Sequence, residues 1–286
     1  MATRKRKASR KASRKASKRN RTGLPPPGPS QCHPKNKGGP QGCLPLPELQ
    51  AAARRLGVAP TRVNLLKALK LPPTTGERTL AKALGISADH LLRPAAPDSW
   101  IADPDKWLDS NNITNCLSQW EESNPEFEFM GPFPIDFAAA DPYKKGPNGE
   151  KLCLMTEMCS LRVTEAIKNG TKAIGIVYNL DPHYKSGSHW VANYIDIPGK
   201  RCYYFDSYGI EPPKQVATFM KWLTTQDPQM KLEYNARRLQ YKNTECGVYC
   251  IYFIIRMLLG DSFKEFTRRN PTDADMLDLR DWLFST

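Results

Sequence analysis

From about residue 100 onward, short apolar runs alternate with polar breaks at spacings that separate strands from helices. Ala173-Ile174-Gly175-Ile176-Val177-Tyr178-Asn179-Leu180 is almost wholly apolar and too short for a typical helix, so it reads as a buried strand. Trp190 to Ile197 and Arg201 to Asp206 flank Pro198-Gly199-Lys200, a turn signal that joins two strands into a hairpin. Pro212 to Thr225 sets Val216, Phe219, Met220 and Leu223 at helical spacing, and Lys231 to Gln240 predicts a further strand. Val248 to Leu259 is apolar except for Arg256 and reads as a buried helix. A last helix starts at Thr272 as N-cap, with Met276, Leu279, Trp282 and Leu283 as its core face. Trp107, Leu108 and Ile113 open this pattern. The expectation is an α+β domain over residues 100–286, built on a small central sheet.

Upstream the pattern changes. Residues 47–95 carry helical periodicity in two blocks, Pro47 to Leu71 and Gly76 to Arg93. Leu80 to Arg93 resembles the core of a helix-turn-helix, with Gly85 at the turn and Ser87 as an N-cap. Such a motif could read DNA, but a small helical docking domain is the favoured reading. Residues 24–46 are dense in Pro and Gly without periodicity, the signature of a linker. Residues 1–23 repeat Arg-Lys-Ala-Ser three times and offer almost nothing to bury, so disorder is expected.

Charge sharpens that division. The formal net charge is +13, and eleven Lys and Arg with no acid lie between Met1 and Arg21, leaving about +2 for the rest. The basicity belongs to the tail, which would bind phosphate backbones and also looks like a nuclear-import signal. No apolar core follows it, so a secretory signal peptide is not expected. The longest apolar run is about a dozen residues, short of the ~20 that a membrane helix needs. Eight cysteines without paired spacing suggest reduced thiols in a cytosolic, nuclear or virion compartment. Cys32-His33 and Cys43 lack a second ligand pair at zinc spacing, so neither a metal nor a cofactor is expected.

Candidate chemistry centres on Cys246. It stands where the polar run Leu239 to Glu245 gives way to Gly247 and the buried helix. Thiol nucleophiles act as thiolates, which a helix N-terminus and a nearby imidazolium both favour. Gly247 would leave room for a substrate carbonyl, and the Cys246 backbone N–H could face the developing oxyanion. Gln240, six residues earlier, would add an amide donor. His189, in Gly187-Ser188-His189-Trp190, is the candidate base, and Asp206, in Tyr204-Phe205-Asp206-Ser207, its orienting acid. If the hairpin loop has an even number of residues, His189 and Asp206 fall on one face. Asp196, Asn193 and Asp181 compete for the acid role, and His183 for the base. These residues together predict a cysteine protease.

The order Gly-Ser-His-Trp, Tyr-Phe-Asp-Ser and Gln-x5-Cys-Gly before an apolar helix resembles the ubiquitin-like-protein-specific cysteine protease superfamily, which includes SUMO proteases and the adenovirus-type protease. Within it, these motifs and Thr272-Asp273-Ala274-Asp275-Met276 look most like the polyprotein-processing proteases of large DNA viruses, the African swine fever virus type. The resemblance implies a papain-like, SUMO-protease-like core and a triad of His189, Asp206 and Cys246 with Gln240 as oxyanion residue. It also implies that Trp190 and Trp107 line a channel over a Gly-Gly or Gly-X substrate end. The expected substrate is a viral polyprotein precursor cleaved during virion maturation or, alternatively, a ubiquitin-like modifier conjugate. A non-catalytic DNA-binding core protein is a third reading. Nucleic acid is the expected partner of the tail, membranes are not, and the expected location is the virion or the host cytoplasm or nucleus.

Overall fold

A computed structural model describes residues 31–286. The basic repeat and the first part of the Pro/Gly-rich stretch lie outside the described residues. The chain divides into two compact units: residues up to Lys106 together with Arg269–Thr286, and Trp107–Arg268.

The first unit holds α1 (Leu46–Leu56), α2 (Arg62–Ala68), α3 (Glu77–Leu84), α4 (Ser99–Ala102) and, from the far end of the chain, α11 (Asp273–Leu283). Leu49, Ala52, Ala53, Leu65, Leu66, Leu80, Leu84 and Leu92 form its core, and Cys32, Cys43 and Leu44 join them. The stretch read as a linker is therefore partly built into a core, and Cys32 and Cys43 are bonded to each other. The helix-turn-helix expectation fails at its second helix. Gly85 ends α3 in the left-handed region at φ 71°, and the following segment is not helical. The chain turns at Ala88–Leu91 instead, where the Leu91 amide donates to Ala88 O, and then pairs with residues 31–33 as the His33 amide donates to Leu91 O and the Arg93 amide to Gln31 O. The cap at Thr272 forms as expected, its side chain accepting from Asp275 N and Asp275 returning the bond. However, α11 belongs to this unit and not to the sheet. The Arg93 guanidinium lies 3.6 Å from the Trp282 ring centroid, and Phe284 meets Trp100 edge-on at 4.9 Å.

The second unit contains α5 (Ser110–Ser123), β1 (Phe127–Pro134), β2 (Ala140–Lys145), β3 (Lys151–Cys153), α6 (Thr156–Ser160), α7 (Val163–Lys168), β4 (Ala173–Asn179), β5 (Trp190–Asp196), β6 (Arg201–Phe205), α8 (Lys214–Gln226), β7 (Lys231–Tyr234), α9 (Cys246–Leu258) and α10 (Phe263–Arg268). Five strands form a mixed sheet in the order β1-β4-β5-β6-β7. The outer pairs are parallel and the inner pairs antiparallel. β7 stops at Tyr234, short of the expected end, because Asn235 turns its side chain onto the Asp206 backbone. The reduced-thiol expectation fails again at Cys153 and Cys159, which are bonded where the chain folds back from β3 into α6.

Both faces of the sheet are covered, which is why β4 and β5 are apolar at nearly every position. Ile174, Ile176, Val191, Ile195 and Tyr204 pack with Val216, Phe219 and Leu223 of α8. Tyr194 and Phe205 instead meet Phe253 of α9, and Phe205 stacks on it at 4.9 Å. Phe253 also packs against Phe263 and Phe266 of α10. This aromatic cluster fixes the helix that starts at Cys246 against the strands. Phe253→Ala is expected to lower unfolding free energy by about 3–5 kcal/mol, read as an earlier urea midpoint; a midpoint within error of wild type would show that α9 is held elsewhere.

Candidate active site

The hairpin sets the geometry. Ala192 opposes Phe205, Tyr194 opposes Tyr203, and Asp196 opposes Arg201, which leaves a four-residue loop from Ile197 to Lys200. The loop is longer than a tight turn but even, so His189 and Asp206 are diagonal neighbours at the same end of the sheet. His189 Nε2 and Asp206 Oδ1 are 2.7 Å apart, and both side chains are buried.

Asp206 is itself held from several directions. Its Oδ1 also accepts from the Tyr208 amide at 2.8 Å. Its backbone N–H donates to Asn235 Oδ1 and its carbonyl accepts from Asn235 Nδ2, at 2.9 and 2.7 Å. Gly209 turns the chain away at φ 72°, where a Cβ would strike the Arg237 backbone.

Cys246 is the first residue of α9 and is buried. Its thiol hydrogen-bonds the His189 ring. Since Nε2 is engaged by Asp206, Nδ1 is the ring nitrogen left for the sulfur. Burial alone pulls the His189 pKa down, yet hydrogen bonds to Asp206 and Cys246 and the charge on both push it up to about 9. An imidazolium beside the thiol is thus the favoured state at neutral pH.

Gln240 is fully buried and tied to the same corner. Ser207 Oγ donates to its Oε1 at 2.6 Å, and its backbone N–H donates to Ser207 O at 2.9 Å. Its Nε2 donates to Lys242 O at 2.7 Å, and an amide nitrogen carries a second hydrogen. Tyr249 OH on α9 donates to Leu239 O, so the segment before Gln240 is fastened to the cysteine helix.

Trp190 donates from Nε1 to Leu108 O at 2.9 Å. Gly247 packs closely under two side chains. A Cβ there would sit 3.0 Å from Leu108 Cβ and 3.3 Å from Trp190 Cδ1. The glycine lets the helix start fit beneath these two side chains. Trp107 is 44% exposed. It lines a cleft of about 390 Å³ with Trp190, Gly187, Ser188, Phe133 and Met155.

The competing candidates are engaged elsewhere. His183 bonds Asp136 through Nδ1 at 2.7 Å on the cleft wall. Asp196 accepts from Gly199 N in the hairpin loop, Asn193 donates to Tyr203 O within the sheet, and Asp181 lies on the cleft wall.

Comparison with known proteins gives the family. A family model, the Ulp1 protease family, C-terminal catalytic domain, matches residues 173–284. A thiol protease of Acanthamoeba polyphaga mimivirus is 30% identical over 220 residues, covering 73% of this chain and 67% of its own. The chain belongs to the Ulp1 protease family. It is accordingly a cysteine protease, a hydrolase that acts on protein substrates. A cysteine protease of African swine fever virus is 32% identical over 188 residues, 62% of this chain and 67% of that protein. The crystal structure of an African swine fever virus protease shares the fold, with a TM-score of 0.61 at 21% identity over 90% of this chain and 96% of that one.

In this Ulp1-family protease, Asn235 and Tyr208 escaped the sequence reading. The Tyr208 ring stacks on the His189 ring at 4.6 Å and 20°. Its place two residues after Asp206 was the available signal. Asn235 carried none, because its role exists only once β7 lies beside β6.

The raised His189 pKa has a pH consequence. The proton is retained to about pH 9, so stability drawn from the imidazolium is complete below the unfolded value near 6.5 and lost as pH rises through about 9. Asp206→Asn removes one of the charges holding the proton and is expected to move the alkaline limb of kcat/KM to lower pH. An unmoved limb would show that another group titrates there.

Proposed function

We propose that this protease is an endopeptidase that cleaves after small residues, at Gly-Gly-X or Gly-X sites, and that it processes viral structural polyprotein precursors during virion maturation. The observation that carries the catalytic part is the buried chain from Asp206 through His189 to Cys246 at a helix start.

The steps follow from the geometry. The Cys246 thiolate attacks the scissile carbonyl carbon, and the carbonyl electron pair moves to oxygen. The second Gln240 amide hydrogen and the Cys246 backbone N–H stabilise that oxyanion. His189 gives its proton to the leaving nitrogen as the C–N bond breaks, leaving an acyl-enzyme. Neutral His189 then takes a proton from water, whose oxygen attacks the thioester; the acid product leaves and the thiolate–imidazolium pair is restored. Asp206 keeps the ring in register throughout.

Trp190 and Trp107 at the cleft suit a substrate whose backbone is bare near the cut, which is what glycine supplies. The viral origin of the relatives supports precursor processing. The basic tail supports retention on nucleic acid in the virion or in the host cytoplasm or nucleus. Deconjugation of a ubiquitin-like modifier is the second reading, favoured by the name SUMO-1 cysteine protease given to an African swine fever virus relative.

Peptides with Gly-Gly-X and Gly-X sites, assayed beside ubiquitin-like fusions, separate the two. Peptides are expected to be cut by wild type and left intact by Cys246→Ser, while Gln240→Ala lowers kcat by about 10²-fold. Turnover of folded fusions alone would replace the processing reading with deconjugation.

A further inference from the structure

The segment 234–244 carries Arg237, Arg238 and Lys242 and no acid. Within it, Arg238 is exposed and held in a defined position. Its guanidinium lies 5.1 Å from the Tyr208 ring centroid and 5.0 Å from that of Tyr241. Its Nε donates to Gln240 O at 2.7 Å. Two rings and one hydrogen bond remove much of the freedom of a long side chain.

Four arginines meet carboxylates: Arg62 meets Glu77, Arg78 meets Asp89, Arg201 meets Glu233, and Arg256 meets Asp261. Arg238 has no carboxylate partner among the described residues. Nε accounts for one of its five N–H groups, and the two terminal nitrogens remain to grip a planar anion in a fork.

Its place relative to the chemistry indicates which anion. His189 delivers the proton to the leaving nitrogen, so the chain released first must lie beside the imidazole. Tyr208 is stacked on that imidazole, and Arg238 lies against Tyr208. The cleft lined by Trp107, Gly187, Ser188 and Trp190 excludes Tyr208, Arg238 and Tyr241 from its walls. Tyr208 and Arg238 thus form a surface distinct from that cleft, on the imidazole side of the reacting bond.

We propose that Arg238, clamped by Tyr208 and Tyr241, recognises a carboxylate within the first residues downstream of the scissile bond. The substrate class is a polypeptide whose newly freed amino-terminal segment carries Asp or Glu. This rests on the peptidase reading above and adds to it a specificity on the leaving side. An alternative role for Arg238, bracing the Gln240 carbonyl, uses Nε alone and gives no charge preference.

Three peptides sharing one Gly-Gly upstream sequence and differing downstream as Glu, Gln or Lys test the assignment. Wild type is expected to favour Glu over Gln roughly threefold to fivefold in kcat/KM, the scale of an exposed ion pair. That preference should shrink as salt is raised. Arg238→Gln should level the three, and Arg238→Glu should make the Lys peptide the best, a reversal that misfolding cannot produce. Equal cleavage of all three by wild type, or a Glu preference surviving in Arg238→Glu, overturns the proposal while leaving the peptidase reading intact. Failure of wild type to cut any of the three counts against the peptidase reading itself and removes this proposal with it.

Discussion

The structure depends on keeping a charged imidazole in a place where burial alone would strip its proton. His189 is almost out of contact with solvent, and its pKa is nevertheless raised. The cause is two partners of the ring, a carboxylate and a thiol. Each must be delivered to within hydrogen-bond reach by a different element. Asp206 comes from the end of β6, the thiol from the start of α9, and the ring from the start of β5. A shift in any of the three leaves a buried polar group without its partner, which costs far more than an ordinary hydrogen bond contributes.

Much of the surrounding structure is explained by that requirement. The antiparallel β5-β6 pair fixes the imidazole and carboxylate diagonally. Asn235 and the Tyr208 amide lock Asp206. Ser207 orients Gln240 through the same strand end. Phe205, Phe253 and Phe266 seat the cysteine helix on the sheet. Gly247 lets the helix start slip beneath Leu108 and Trp190. Backbone, core and site are therefore parts of one constraint, and a core substitution in α9 is also a substitution at the site.

The sequence made some of this legible and hid the rest for physical reasons. Apolar runs bounded by turn residues located β4, β5, β6 and α9, because those elements are buried along their length. The parity of the hairpin loop links His189 to Asp206 on residue numbers alone. β1 was missed because Phe127–Pro134 interleaves Glu128, Gly131 and two prolines with its apolar positions, as edge strands do. The supposed recognition helix after Gly85 had helical residues, but a turn at Ala88–Leu91 and hydrogen bonds from the segment around Cys32 hold that stretch out of a helix. Cys32 and Cys43, and Cys153 and Cys159, carried no paired spacing; chain reversal brought them together. Arg238 looked like one more surface base until the rings of Tyr208 and Tyr241 were placed around it.

The most direct test of the central claim is covalent trapping. The protein is incubated with a Gly-Gly peptide bearing a carboxy-terminal electrophile, and the modified residue is located by peptide mass spectrometry. A single adduct on the Cys246 sulfur, lost when His189 is replaced by Ala, is the predicted result. Modification of Cys116, Cys202 or Cys250 in its place, or an adduct on Cys246 that forms as fast without His189, would contradict the account.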